Sequence, residues 1–233
     1  MSDQSVLFQA LTKFSRTLSG QYDVSDVLYE LSEAATRILS IAGAGVSVAD
    51  HTGTLRFVTA TDEIITCVEQ VQQDTQEGPC HQAYTTGEAV YVTDLTTVPD
   101  WPHYRASALG AGLCAVAGIP MGHGATRLGS LDVYDQRVRE WSEDDRASAQ
   151  VLADMATGYI IHASQLEQAQ RINEQLQTAL DSRVLIEQAK GLLAGERHIS
   201  LDEAWTLIRD HARRRNAPAR SVAQAIVELG MRP

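Results

Sequence analysis

No proline stands between Ser142 and Leu193, and glycine interrupts that stretch only at Gly158 and Gly191. Proline is the residue that most reliably breaks a helix, so so long a gap permits one continuous helix. Leu152, Met155, Tyr159, His162, Leu166, Ala169, Asn173, Leu176 and Leu180 recur at alternating spacings of three and four. That is the a/d seam of a coiled coil sustained for about four heptads. Asn173 falls on an a position, where a polar side chain sets register and oligomer state. The polar half of the seam, Ser164 to Thr178, has no domain left to pack on. The stretch is therefore expected to pair two copies of the chain; a single helix lying along its own domain is the rival reading.

Charge divides the chain near the end of this helix. Residues 1–181 hold 10 Lys/Arg against 24 Asp/Glu, a net −14, whereas residues 182–233 hold 9 against 6, a net +3. An acidic front repels a phosphate backbone and a basic tail attracts one, so a polyanion would be steered to the tail. A hydrophobic fraction of 44% with 21% charged residues excludes a disordered chain. No run of eighteen apolar residues is present, and the start MSDQSVLFQALTKFSRTL lacks a basic segment followed by an apolar core. A cytoplasmic location is expected, without a membrane partner. Cys67, Cys80 and Cys114 form no CxxC pair, so neither a disulfide nor a zinc framework is read from spacing, and each is expected to be a small buried hydrophobe.

Ahead of the long helix the pattern alternates. Residues 5–19 and 25–41 have helical periodicity, Ala44–Ala49 and Leu55–Ala60 are strand-like about the turn Asp50-His51-Thr52-Gly53, and a helix is expected from about Glu63 to Gln73. A short helix follows Gly78-Pro79, then a strand at Ala89–Thr93. Leu95–Gly112, with Pro99, Pro102 and Gly110, should be an irregular loop with at most one helical turn. Strands Leu113–Met121 and Arg127–Tyr134 flank a turn at Gly122-His123-Gly124-Ala125. The order implies an antiparallel sheet of five or six strands with packed helices, an α+β domain.

The tail holds three short amphipathic helices. Ser200 and Glu203 make a capping box, and the helix it opens places Leu201, Ala204, Trp205, Ile208 and Ala212 on one face. Pro218 opens a third helix whose Val222, Ala223, Ile226 and Leu229 face inward before Gly230 ends it. Lys190, Arg197, Arg209, Arg213, Arg214 and Arg220 cluster beside these faces. A guanidinium suits phosphate because its planar fork binds two oxygens at once. The third helix offers little beyond Arg220 and Gln224 to base edges, which disfavours a major-groove reader and favours folded RNA.

IEQAKGLL at 186–193, SLDEAWTLIR at 200–209, ARRRN at 212–216 and VAQAIV at 222–227 resemble the ANTAR module, over roughly residues 182–230. The resemblance implies a three-helix domain that binds paired hexaloop stem-loops in nascent transcripts and prevents a terminator hairpin from forming. It places Gln188, Ala189, Lys190 and Gly191 in the first helix of that pattern, and Ala204, Arg209, Ala212 and Asn216 in the second. With the basic cluster, the implied RNA-binding set is Gln188, Ala189, Lys190, Gly191, Arg197, Arg209, Ala212, Arg213, Arg214, Asn216 and Arg220. Ala219-Arg220-Ser221 departs from the family's usual basic-Leu-acidic segment.

EGPCHQAYTTGEAVYVTDL at 77–95, Trp101-Pro102, GIPM at 118–121, LGSLDVY at 128–134 and WSEDD at 141–145 resemble a GAF domain. That resemblance implies a sensory pocket lined by Cys80, Trp101, Tyr104, Leu113, Cys114 and Ala115. The residue set of cyclic-nucleotide GAF domains is not visible, and Cys80-His81 sits in a different part of the fold from the bilin-binding pair.

The expected organisation is an N-terminal helix (1–24), a GAF sensory domain (25–165), a linking coiled-coil helix (142–182) and an all-α ANTAR domain (183–230). The expected function is a dimeric RNA-binding transcription antiterminator, controlled by a small molecule or protein signal at the GAF domain. No catalytic residue, metal ligand or named cofactor is read from the sequence. A DNA-binding regulator, a thiol reductase of free methionine sulfoxide and an interaction scaffold without salt-dependent RNA affinity are the rivals. The only basic neighbour of a cysteine in sequence is His81 beside Cys80.

Overall fold

The computed structural model describes residues 22–124 and 126–233, together with Thr12. The helix expected over residues 5–19 and Ala125 of the second turn lie outside the described residues. The elements in order are α1 (Val24–Leu39), β1 (Gly43–Ala49), β2 (Leu55–Ala60), α2 (Glu63–Thr75), α3 (Pro79–Thr86), β3 (Val90–Val92), α4 (Pro102–Gly110), β4 (Ala115–His123), β5 (Thr126–Asp135), α5 (Glu143–Arg197), α6 (Leu201–Arg214) and α7 (Ala219–Leu229). They fall into two units, residues 1–164 and 165–233.

The first unit is built on a five-stranded sheet in the order β2-β1-β5-β4-β3, every neighbouring pair antiparallel. Side chains alternate along a strand, so each strand feeds two cores. Leu131 and Val133 of β5 join Ala117, Ile119 and Met121 of β4 on the face covered by α1 and the first turns of α5. Tyr134 of β5 and Val116 of β4 face the other way, with Ile65 and Val68 of α2 and Tyr104 and Ala108 of α4.

Two expectations change here. The segment expected to be irregular folds into the nine-residue α4, because its breakers sit at the helix ends: Pro102 occupies the first turn, where its missing N–H costs nothing, and Gly110 is the last residue. Gly122 and His123 belong to β4, not to the turn, and the register shifts between Met121 and Gly122. Nor is the a/d seam free along its length. Its Leu152 and Tyr159 are buried in the first unit's own core, with Met155 packed against it.

In the second unit, α6 starts at the capping box: Ser200 Oγ accepts from Glu203 N at 3.2 Å, and Glu203 Oε2 accepts from Ser200 N at 2.8 Å. Its core is Ala189 and Leu193 from α5, Ala204, Ile208 and Ala212 from α6, and Val222, Ala223 and Ile226 from α7. Leu201 and Leu229, expected inside, are 51% and 81% exposed, one the first residue of α6 and the other the last of α7. Gly230 closes α7 in the left-handed conformation, φ 66°.

Candidate nucleic-acid interface and a buried acidic cluster

The implied RNA-binding set separates into two groups. Ala189 and Ala212 are buried among the three helices, where a methyl side chain lets two helices approach closely, so they shape the bundle and do not reach a ligand. Gln188, Gly191, Arg197, Arg209, Arg213, Arg214, Asn216 and Arg220 are exposed. Among these, Arg197 is engaged: its Nη2 donates to the Pro233 carbonyl at 2.7 Å. Arg209 Nε lies 3.8 Å from Asp210 Oδ1. Lys190 is mostly covered, and its ammonium donates to both Glu187 oxygens at 2.9 and 3.0 Å, so that its charge is already met.

Arg213, Arg214, Arg215 and Arg220 are different: all are exposed, and none makes an ion pair or side-chain hydrogen bond among the described residues. They gather where α6 ends and α7 begins. The first three complement the negative end of the α6 dipole, and Asn216 turns the chain between the helices in the left-handed conformation, φ 49°. Toward the other end of α6, Trp205 is half-buried and packs against the edge of the core. It lines a groove of about 340 Å³ with Arg183, Ile186, Glu187 and Lys190. Gln224 donates to Glu228 at 3.1 Å, which occupies the one amide that α7 could offer to a base edge.

In the first unit, Cys80, Tyr104 and Leu113 lie on the α2/α4 side of the sheet, with Trp101 edge-on to Tyr104 at 6.4 Å. Ala115 faces the opposite core, because it stands one residue out of phase with Val116 on β4. It therefore leaves the candidate pocket. Cys114 is half-buried; Cys67 is exposed, against the expectation that all the cysteines are interior.

Sequence reasoning missed what surrounds Cys80. Asp132, on the central strand β5, is fully buried, and its direct partners on the two neighbouring strands are both glycines, Gly45 on β1 and Gly118 on β4. The row without side chains leaves room for groups from the helices. Glu69 of α2 lies over Gly45, and the Pro79 carbonyl of α3 over Gly118. Ligand atoms of Glu69, Cys80 and Asp132 all lie within 4.8 Å of one another.

This cluster is hydrogen-bonded on its outer side. Glu69 Oε1 accepts from Tyr134 Oη at 2.9 Å, and Glu69 Oε2 from Ser47 Oγ and Gln72 Nε2, each at 3.4 Å. Asp132 Oδ1 accepts from Ser130 Oγ at 3.0 Å. Among the described residues, Asp132 Oδ2 and Tyr104 Oη, both buried, have no hydrogen-bond partner. Burial pushes Asp132 up to about 7, and burial with the Asp132 charge holds Glu69 well above the usual carboxylate range. Burial, then the charges of Asp132 and Glu69, push the Cys80 thiol up too. A thiol so held is a poor nucleophile, which weakens the reductase reading. The sequence signal for this site was an aspartate in the middle of an apolar strand, Leu131-Asp132-Val133.

The chain matches the GAF domain family over residues 21–160 and the ANTAR domain family over residues 174–227. No curated protein matches it. Among solved structures it is similar to the GAF domain of a phosphoenolpyruvate-protein phosphotransferase from Coxiella burnetii, 15% identical over 70% of this chain and 96% of that chain, with a TM-score of 0.56. The GAF domain of the Acinetobacter phosphotransferase is 13% identical over 70% and 97%, TM-score 0.55. Free methionine-R-sulfoxide reductase from Neisseria meningitidis, solved with its substrate, is 16% identical over 69% and 91%, TM-score 0.52. At these identities the likeness shows the fold.

Proposed function

Since the chain belongs to the GAF family and carries an ANTAR domain at residues 174–227, we propose that it is a regulator that binds RNA stem-loops through its last three helices. The observation that carries this reading is the set Arg213, Arg214, Arg215 and Arg220, exposed and without partners among the described residues at the α6–α7 corner. Arginines left unpaired in a chain of net charge −11 are placed to meet an external anion. Trp205, beside Arg183 in its groove, offers a face on which a splayed loop base can stack.

The ligand is two hexaloop stem-loops in a nascent transcript, and holding them keeps a terminator hairpin from forming. Two loops call for two bundles. The exposed Leu166, Leu176 and Leu180 of α5 form the apolar stripe on which two chains pair, and pairing raises affinity by making the second contact intramolecular. A signal received by the GAF unit controls that engagement.

A gel shift with the full chain tests the reading. An RNA with two six-base loops is expected to bind, a single-loop RNA more weakly, and duplex DNA of equal length least. Equal affinity for duplex DNA and two-loop RNA contradicts it and favours a DNA-binding regulator.

A further inference from the structure

The cluster of Glu69, Cys80 and Asp132 lies in the GAF unit, apart from the residues assigned to RNA. We propose that it is a site for one divalent transition-metal ion of the zinc class, with Cys80 Sγ and one carboxylate oxygen each from Glu69 and Asp132 as protein ligands.

Spacing is the first argument. Donors bound to one tetrahedral zinc-like ion at about 2.0–2.3 Å stand roughly 3.3–3.8 Å from each other. The three ligand atoms here lie within 4.8 Å of one another, so binding one ion draws them inward by up to about 1 Å.

The arrangement of hydrogen bonds is the second. Ser130 occupies Asp132 Oδ1 and leaves Oδ2 unpartnered, although the residue is fully buried. Buried polar atoms are nearly always satisfied. Tyr104 Oη, equally buried and unpartnered, is close enough to feel the charges of Asp132, Glu69 and Cys80. Around these open atoms Tyr134, Ser47 and Gln72 hold Glu69 from behind, as outer-shell partners hold metal-bound carboxylates.

Charge and donor type complete the case. The groups that act most on this cluster are acids, hydroxyls and a thiol, with no Lys, Arg or His among them. What the cluster lacks is a cation. One sulfur with two carboxylates selects zinc or ferrous iron; magnesium and calcium require oxygen-rich shells of six or more donors. Binding sends the Cys80 thiol proton, and any proton held by the carboxyls, to solvent while the ion takes their place.

Cobalt(II) titration of the full-length chain tests this, because a thiolate bound to cobalt gives a near-ultraviolet charge-transfer band. One equivalent per chain should produce the band, zinc should displace it, and Cys80→Ser should abolish it. Asp132→Asn and Glu69→Gln should each weaken cobalt binding by more than about tenfold. A chain with both Cys67→Ser and Cys114→Ser keeps Cys80 as its sole cysteine and should keep the band, a result that does not depend on Cys80→Ser folding. Absence of the band in the wild-type chain, its loss in that double variant, or its survival in Cys80→Ser overturns the assignment. Displacement by magnesium as readily as by zinc overturns it too. RNA binding plays no part in the readout, so the site stands or falls separately from the tail's function.

Discussion

Glu69 fills the space that a side chain on residue 45 would need: a Cβ at Gly45 would lie 2.3 Å from Glu69 Oε1. Gly45→Ala should therefore displace the carboxyl from Tyr134 and strain the α2–sheet packing. Overpacking of this kind costs about 1–3 kcal/mol. Urea unfolding of the first unit should show that loss, and Gly45→Ala with Glu69→Ala together should lose less than the two single losses added. Strict additivity would mean that the two residues do not compete for the space.

The same cluster gives chelator-treated protein an unusual pH dependence. Asp132 is raised to about 7 and Glu69 lies well above its ordinary range, so between about pH 4 and 7 the folded state holds protons that the unfolded state has released. Stability from these groups is present below about pH 4 and is lost as pH rises through the folded value. For Asp132 alone the fall is on the order of 4 kcal/mol. Urea midpoints from about pH 5 to 8 should decline in wild type, and Asp132→Asn should flatten the decline. A wild-type midpoint that rises over this window contradicts the account.

Ser200 closes the start of α6 by a reciprocal pair of hydrogen bonds with Glu203. Ser200→Ala should cost the second unit about 1 kcal/mol. Amide hydrogen exchange should rise across α6 and α7 while the sheet amides are unchanged. A uniform rise over both units would show that they unfold together.

Leu176 and Leu180 are each 58% exposed on one stripe of α5. Replacing both with Glu should yield a monomer by analytical ultracentrifugation, with two-loop RNA affinity reduced by at least about tenfold through lost avidity. A wild-type monomer at micromolar concentration contradicts pairing through α5.

Much of the fold was legible because local signals and burial agree. The period-two run of β5, the capping box at Ser200 and the proline-free α5 each specify their element directly. α4 is hidden in the sequence because Pro102 and Gly110 have the character of breakers while marking its ends. The seam of α5 could not be divided from sequence, since Leu152 and Leu180 occupy equivalent heptad positions and only the tertiary fold buries the first. The acidic cluster is a long-range object. Nothing local separates Glu69 from an exposed glutamate of the same helix, such as Glu63; the strand register that sets Gly45 and Gly118 against Asp132 makes the site. In the tail, the family pattern could not tell Ala189 and Ala212, which space helices, from the arginines left free.

Fluorescence anisotropy of a labelled RNA bearing two six-base loops, titrated with the full-length chain over a range of salt, tests the central claim most directly. Affinity should exceed that for a scrambled-loop RNA and fall linearly in log–log form as salt rises, and Arg213→Ala with Arg214→Ala should reduce the slope by roughly 1–2. No binding at low salt, or a slope untouched by those substitutions, would contradict it.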